Sequence, residues 1–212
     1  MKTKAALASL LVCAIAVAGA TVANAKTAGK ENKKKMTAPR DYANTLATLQ
    51  TDMGDITIRF FYDKAPKHVE NFVNLAANGF YDGTMFHRVI PGFMIQGGDP
   101  NTKKPEDPSH PYGTGGHVVN GKEARLKAEF NDTSHKRGIV SMARSQDPDS
   151  ASSQFFIVVK DSIFLDHQYS AFGEVVSGLE TADKIASVPR NASDRPNQPV
   201  RIKKVVLTQA KA

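Results

Sequence analysis

The densest set of unusual side chains in the sequence lies in residues 86–99, which read F-H-R-V-I-P-G-F-M-I-Q-G-G-D. This run places one arginine, Arg88, among aromatic and aliphatic residues. A guanidinium group is always charged and must find hydrogen-bond acceptors where water is scarce. A second run at residues 152–157, S-S-Q-F-F-I, adds Gln154 and two phenylalanines. The phenylalanines alone are typical of ordinary core, but an arginine with such neighbours indicates a site.

The motifs of several common reaction classes are missing from the sequence. It contains no G-x-S-x-G, S-x-x-K or H-E-x-x-H motif. Residues 116–122 match most of a phosphate-binding P-loop, but Glu123 stands where a Mg²⁺-binding Ser or Thr belongs, and no buried strand precedes the run. The histidines are scattered; His110 and His117 share a loop with two glutamates, where polar loop histidines are a simpler interpretation than a metal site. We therefore expect no metal and no cofactor.

In order and spacing, these runs resemble cyclophilins over residues 45–207. Shorter segments that share the resemblance are G-T-G-G at 113–116, S-M-A-R at 141–144, F-L-D at 164–166 and A-F-G-E-V at 171–175. The resemblance implies a peptidyl-prolyl cis/trans isomerase that accelerates rotation about X-Pro bonds without a cofactor. It also implies a closed eight-stranded antiparallel β-barrel with a helix over each end and an apolar groove on one outer face.

The resemblance assigns roles to individual positions. Arg88 matches the family's catalytic arginine, and His87 belongs to the same motif without being expected to act as a base. Arg144 lies where most members have Asn and use its backbone to hold the peptide. The implied substrate-binding residues are Phe93, Met94, Gln96, Ala143, Arg144, Gln154, Phe156, Phe164, Leu165 and Tyr169, with the proline pocket walled by Phe93, Met94, Phe156 and Leu165.

Three departures from the family pattern bear on ligand preference. Phe164 replaces a tryptophan found in many members, Tyr169 falls near a position usually held by histidine, and the loop at residues 103–111 is longer than usual. We therefore expect the cyclic peptide inhibitor cyclosporin to bind weakly, while the reaction itself is unaffected.

The elements around these motifs can be predicted from residue patterns. Alternating apolar residues and turn signals predict strands at residues 45–51, 56–61, 84–89, 93–96, 138–143, 155–159, 171–176 and 201–207. Pro66 can open a helix whose apolar face carries Val69, Phe72, Val73 and Ala76, and a second helix is predicted at 179–186. Residues 100–121 are predicted as one long surface loop. Many short strands with two helices favour a mainly β, antiparallel barrel.

Two other classes of function fit parts of the sequence. A proline-peptide binding module, or a chaperone with little catalytic activity, would keep the barrel and lose the arginine, yet Arg88 is present. A nucleic-acid-binding protein would need basic residues on its folded domain; the net charge is +7, but residues 26–43 alone contribute six basic against two acidic residues. We therefore expect proline-containing, unfolded or partly folded polypeptides as partners, no nucleic acid, and a monomer.

The amino-terminal segment has the pattern of an export signal. Lys2 and Lys4 precede an apolar run, and A-N-A at 23–25 offers the small residues that signal peptidase needs. Residues 1–25 are thus predicted to be a cleaved signal peptide, followed by a Lys-rich disordered tether at 26–43 and the isomerase domain at 44–212. No further run is predicted to span a membrane. The signal predicts a periplasmic location, or secretion if the source has no outer membrane.

Processing can be tested directly. Cleavage before Lys26 removes Cys13, the only cysteine of the chain, so the exported form should start at Lys26 and contain no thiol. Intact mass and thiol titration of material from the exported fraction measure both properties. A mature chain that still carries Cys13 would refute the predicted cleavage.

Overall fold

The computed structural model describes residues 41–210, so the predicted signal peptide and most of the predicted tether lie outside the described residues. The described chain begins inside the segment predicted as tether. Its Tyr42 ring stacks on Tyr62 with the ring centroids 5.3 Å apart, and Asp41 Oδ2 accepts a 2.7 Å hydrogen bond from the Asn44 side chain. Tyr42 therefore packs against the domain, and Asp41 is bonded to the residues at the start of β1.

The fold is mainly β. Within residues 41–210 the strands are β1 Thr45–Thr51, β2 Gly54–Phe60, β3 Arg88–Ile90, β4 Met94–Gly97, β5 Val118–Val119, β6 Lys122–Glu123, β7 Ile139–Met142, β8 Phe155–Val158, β9 Ala171–Ser177 and β10 Ile202–Gln209. The α-helices of the same range are α1 Pro66–Ala77 and α2 Leu179–Ala186. Eight strands form one antiparallel sheet in the order β10-β1-β2-β9-β7-β8-β4-β3. The first strand pairs with the last, Thr45 lying opposite Gln209.

The sheet curves toward closure but leaves β3 and β10 as edges, so the predicted closed barrel overstated the pairing. The predicted strand at residues 84–89 is correspondingly wrong: only Arg88–Ile90 forms a strand, and Met85 makes a single bridge to Arg201. The backbone N–H of Met85 donates to the Thr102 hydroxyl at 3.0 Å. On either side of the bridge, the backbone N–H of Phe86 donates to Val200 O at 3.0 Å and that of Ile202 donates to Thr84 O at 2.8 Å. The two edges therefore meet at residues 84–86 and 200–202 through one bridge and not through a strand ladder.

Helix α1 covers the core with the predicted face. Pro66 occupies its first turn, where a missing N–H costs nothing, and Val69, Phe72, Val73 and Ala76 are all buried. Helix α2 has the predicted bounds and buries its own apolar residues, Ala182, Ile185 and Ala186. Within residues 41–210, neither helix has the length and apolar character needed to cross a bilayer.

The long segment predicted as a loop has some structure of its own. A 3-10 turn spans Pro100–Lys103, and β5 and β6 form a two-residue hairpin. Asn120 and Gly121 take positive φ angles of 51° and 77° at its tip, as a tight hairpin turn requires. The P-loop-like residues 116–122 therefore form a hairpin and not a strand–loop–helix phosphate site.

The aromatic centre of the core generates a stability prediction. Phe72 is fully buried, with its ring centroid 4.8 Å from that of Tyr81 and 5.3 Å from that of Phe155. Phe72→Ala should lower the free energy of unfolding by about 3–5 kcal/mol, since it leaves a cavity among rings that cannot collapse fully. Denaturant titration measures the change. Phe130→Ala removes a ring that is 41% exposed and should be nearly neutral; equal effects of the two changes would contradict the prediction.

Candidate active site

The candidate site lies on the face of β4 and β8 that points away from the main core. Successive strand residues face opposite sides, so Phe155 joins the main core while its neighbour Phe156 joins a second apolar cluster. Met94 and Leu165 belong to that second cluster and are 2% and 6% exposed. Both faces of these strands are therefore covered, and the outer face can form an apolar pocket.

A cavity of about 100 Å³ opens on this second cluster. It is lined by nine of the residues predicted from the sequence: Arg88, Phe93, Met94, Gln96, Ala143, Arg144, Phe156, Leu165 and Tyr169. The other two predicted residues lie beside it. Gln154 contacts Gln96, and Phe164 is 63% exposed with its ring centroid 5.6 Å from that of Phe93. The structure thus brings the whole predicted set together.

Sheet register places the main groups of the cavity in one row. Arg88 on β3 lies opposite Gln96 on β4, Gln96 lies opposite Phe156 on β8, and Phe156 lies opposite Ser141 on β7. Paired residues share a face of the sheet, and neighbouring strands are only about 4.8 Å apart. Backbone pairing thereby aligns a charged donor, Arg88, a polar side chain, Gln96, and an apolar ring, Phe156.

The two arginines of the cavity differ in how far their N–H groups are already used. The guanidinium of Arg144 donates to the carbonyl oxygens of Gln168 at 3.0 and 3.1 Å and of Ser145 at 2.9 Å, and it lies over the Tyr169 ring. Within residues 41–210, the side chain of Arg88 donates no hydrogen bond, and its nearest acid is Asp194, with Nε 4.0 Å from Oδ2. Arg88 is therefore the arginine that can donate to a ligand.

The two glutamines form a polar edge with fixed orientation. Gln154 donates from its amide nitrogen to the carbonyl oxygens of Gly113 at 3.0 Å and Gly115 at 2.8 Å. Its side-chain oxygen accepts a 2.9 Å bond from Gln96 Nε2. Because an amide nitrogen carries two hydrogens, Gln96 keeps one N–H and its oxygen for a ligand.

A buried histidine supports the Phe156 wall and was not predicted from the sequence. The His135 ring is stacked against Phe156 at 6.3 Å, with Nδ1 3.0 Å from Asp166 Oδ1 and Nε2 3.1 Å from Ser141 Oγ. Burial lowers the pKa of His135, although Asp166 opposes the shift. The neutral ring therefore links β7, Phe156 and the turn that carries Leu165. No local pattern could reveal it, because its acid lies 31 residues away.

The histidine next to Arg88 lies inside the protein. His87 is 6% exposed, and a Cβ atom added to Gly113 would lie 3.7 Å from the His87 ring. Burial lowers the pKa of His87, with the charge of Asp99 acting in the opposite direction. This placement agrees with the expectation that His87 is not a catalytic base.

A wider polar cleft of about 380 Å³ continues from the cavity. The two share Gln96, Ala143 and Arg144, and the cleft extends past Thr114 and Glu123. Among the residues that the structure describes, no group of three His, Cys, Asp or Glu side chains could hold a metal ion. The cavity and cleft together form a groove with an apolar end and a polar end.

Comparison with known proteins agrees with this geometry. Residues 46–207 match the family model described as cyclophilin type peptidyl-prolyl cis-trans isomerase/CLD. A peptidyl-prolyl cis-trans isomerase of Acinetobacter baylyi is 42% identical over 170 residues, covering 76% of this chain and 84% of that protein. The human peptidyl-prolyl cis-trans isomerase-like 3 is 40% identical over 163 residues, covering 76% and 94%.

Comparison with solved structures indicates the same family. A crystal structure of a Cryptosporidium parvum cyclophilin type isomerase, determined in the presence of the dipeptide Ala-Pro, superposes with a TM-score of 0.69 at 33% identity, covering 77% of this chain and 99% of that one. The family match spans most of the chain and includes every residue of the cavity. The chain belongs to the cyclophilin family of peptidyl-prolyl cis-trans isomerases.

Proposed function

We propose that this isomerase acts on X-Pro bonds of incompletely folded, exported polypeptides, with the proline ring in the 100 Å³ cavity and Arg88 as the catalytic donor. The observation that carries the proposal is the free guanidinium of Arg88 beside an apolar pocket whose other arginine is already bonded. The role of each side chain follows from what the reaction demands.

Rotation about an X-Pro bond breaks no covalent bond. The barrier is about 18–20 kcal/mol because twisting removes amide resonance. In the twisted state the proline nitrogen regains a lone pair, which can accept a hydrogen bond. A catalyst must therefore bind the twisted amide better than both planar forms, and it needs neither a nucleophile nor a matched pKa.

Arg88 meets this demand with a permanently charged donor. Its N–H groups can bond the proline nitrogen only when that nitrogen becomes pyramidal, so the stabilisation is specific to the transition state. A rate gain of about 10⁵ corresponds to ~7 kcal/mol of such preferential stabilisation. One charge-assisted hydrogen bond supplies about 1.5–3 kcal/mol. Orientation in the groove and exclusion of water supply the remainder.

The rest of the groove orients the substrate. Met94, Phe156 and Leu165 hold the proline ring, and the free N–H of Gln96 directs the carbonyl that precedes it. The residues before the X-Pro pair extend into the polar cleft beside Thr114 and Glu123. An apolar wall also favours the twisted amide directly, since it is less polar than the planar form.

Export of the protein is part of the proposal and is supported by the signal-like residues 1–25 and the Lys-rich residues 26–43. The substrates are then polypeptides that fold after export, a stage at which slow X-Pro isomerisation limits folding. We further propose that the protein acts as a monomer. In this proposal the Lys-rich segment acts as a spacer.

The catalytic role of Arg88 is tested by substitution. Arg88→Ala should lower kcat/KM for an Ala-Pro peptide about 10²–10³-fold, the usual cost of removing one transition-state donor. NMR exchange or a protease-coupled assay on residues 26–212 measures the rate. The melting temperature should change little, because the Arg88 side chain is 45% exposed and donates no hydrogen bond within residues 41–210.

A matched control is Arg137→Ala, which removes a guanidinium that is also 45% exposed but pairs with Asp183 outside the cavity. It should leave kcat/KM unchanged. Full activity of a folded Arg88→Ala protein would overturn the mechanism. Peptide binding with negligible turnover in the wild-type protein would instead favour a proline-peptide binding module.

Inhibitor affinity gives a further prediction. Phe164 offers a ring at the rim of the groove but no hydrogen-bond donor, so cyclosporin should bind weakly. Phe164→Trp should tighten binding about ten- to thirtyfold, since an added indole N–H and extra ring area are together worth about 1–2 kcal/mol. Titration with the inhibitor measures this. Ile163→Trp, at a neighbouring residue that is 67% exposed, serves as control; equal tightening by both changes would mean that the position of Phe164 is not what matters.

A further inference from the structure

The carboxylate nearest to the guanidinium of Arg88 comes from a distant part of the chain. Asp194 lies in the connection between α2 and β10, and its Oδ2 is 4.0 Å from Arg88 Nε. Its carbonyl oxygen accepts a 2.8 Å bond from the backbone N–H of Val89, the residue after Arg88. One residue thus contacts both the strand that carries Arg88 and the side chain itself.

The backbone at Asp194 is held in an uncommon conformation. Its φ angle is 59°, a value that few residues other than Gly, Asn and Asp adopt. The surrounding turn is tied internally: Asp194 N–H donates to Asn191 O at 3.1 Å, and Asn191 Oδ1 accepts from the N–H groups of Ser193 and Arg195. The carboxylate also accepts a 3.0 Å bond from Arg190 Nε, which leaves Oδ2 directed toward Arg88.

The turn is anchored from outside by the long loop that follows β4. Arg195 makes a two-pronged ion pair with Glu106, one prong 2.8 Å from Nη2 to Oε1, and its guanidinium lies 4.8 Å from the Tyr112 ring centroid. Tyr112 in turn donates its hydroxyl to Lys104 O and its N–H to Glu106. A two-pronged pair with a stacked ring fixes direction as well as distance. The hydrogen bond from Arg195 lowers the pKa of Glu106 from its usual value.

We propose that Asp194 is a positioning residue for Arg88, and that the Glu106–Arg195 pair holds Asp194 in place; the inference rests on the catalytic role proposed for Arg88. A half-exposed arginine has many rotamers, and those that point away from the cavity are unproductive. The carboxylate restricts the guanidinium to the cavity side by charge attraction. It does not use up the N–H groups that the substrate needs, because 4.0 Å is longer than a hydrogen bond. The loop at residues 103–112 thereby acts on catalysis without lining the cavity.

The variant Asp194→Asn isolates the charge, since Asn tolerates a positive φ and has nearly the same shape. It should lower kcat about five- to tenfold with KM unchanged, as expected for coupled neighbouring residues. KM should not change because the substitution leaves the apolar walls of the cavity intact. Both constants are measured by NMR exchange at several concentrations of an Ala-Pro peptide. Asp183→Asn, which removes the acid of another arginine pair outside the cavity, is the control and should change neither constant.

A double-mutant cycle separates positioning from simple structural support. In the Arg88→Ala background, Asp194→Asn should cause no further loss, because there is no guanidinium left to orient. An equal loss in both backgrounds would show a structural role and overturn the inference. Unchanged kcat in Asp194→Asn, alongside an impaired Arg88→Ala protein, would also overturn it while leaving the proposed function intact. Full activity of Arg88→Ala would remove the proposed function itself.

The same cycle with Glu106→Gln tests the anchor and covers the case in which Asp194→Asn is unstable. This change weakens the Arg195 pair at a distance from the cavity. It should lower kcat about two- to threefold in the wild-type background and not at all in the Arg88→Ala background. A loss that is the same in both backgrounds, or no loss in either, would contradict the anchoring role.

Discussion

Register across four strands is the constraint on which the site depends. Four residues on adjacent strands form one row across the sheet: Arg88 on β3, Gln96 on β4, Phe156 on β8 and Ser141 on β7. A slip of one residue in any of these strands would turn its members of the row toward the opposite face. At the end of β4 the register is held by Gly98, whose φ is 86° and where a Cβ atom would lie 2.5 Å from Ser153 O. Backbone pairing, together with the close contact of Gly98 and Ser153, therefore places Arg88, Gln96 and Phe156 side by side.

This row also gives the groove its apolar wall. Strands β4 and β8 are buried on both faces, so residues such as Phe155 and Phe156 differ in role although they are neighbours in sequence. The wall of the groove is supported from behind by His135, which burial keeps neutral. The polar groups at the groove edge are mostly bonded to one another or to backbone carbonyls. Among the described residues that line the apolar cavity, Arg88 is the charged group whose N–H groups remain free, because Arg144 is bonded to backbone carbonyls.

Patterns within a segment predicted the structure well. The apolar spacing after Pro66 and the bounds of α2 were confirmed because each depends on residues a few positions apart. The strand predicted at residues 84–89 failed because its first part makes only one bridge, from Met85 to Arg201 in a distant part of the chain. For the site, family resemblance supplied the lining residues, and the cavity contains nine of them. No local pattern indicates that Asp194 approaches Arg88, or that Glu106 pairs with Arg195, because Glu106 and Arg195 are 89 residues apart and Asp194 is also far from Arg88 in the sequence.

The pairing of the first strand with the last has a consequence for how the chain folds. Strand β1 lies between β2 and β10, and Ala210 N–H still donates to Asn44 O at 2.7 Å. A chain that emerges amino terminus first therefore holds β1 with one open edge until residue 209 has been made. Contacts of such long sequence separation form late and slowly. The sheet can therefore be completed only once β10 has been made, and until then β1 presents an unpaired edge to which another strand could pair.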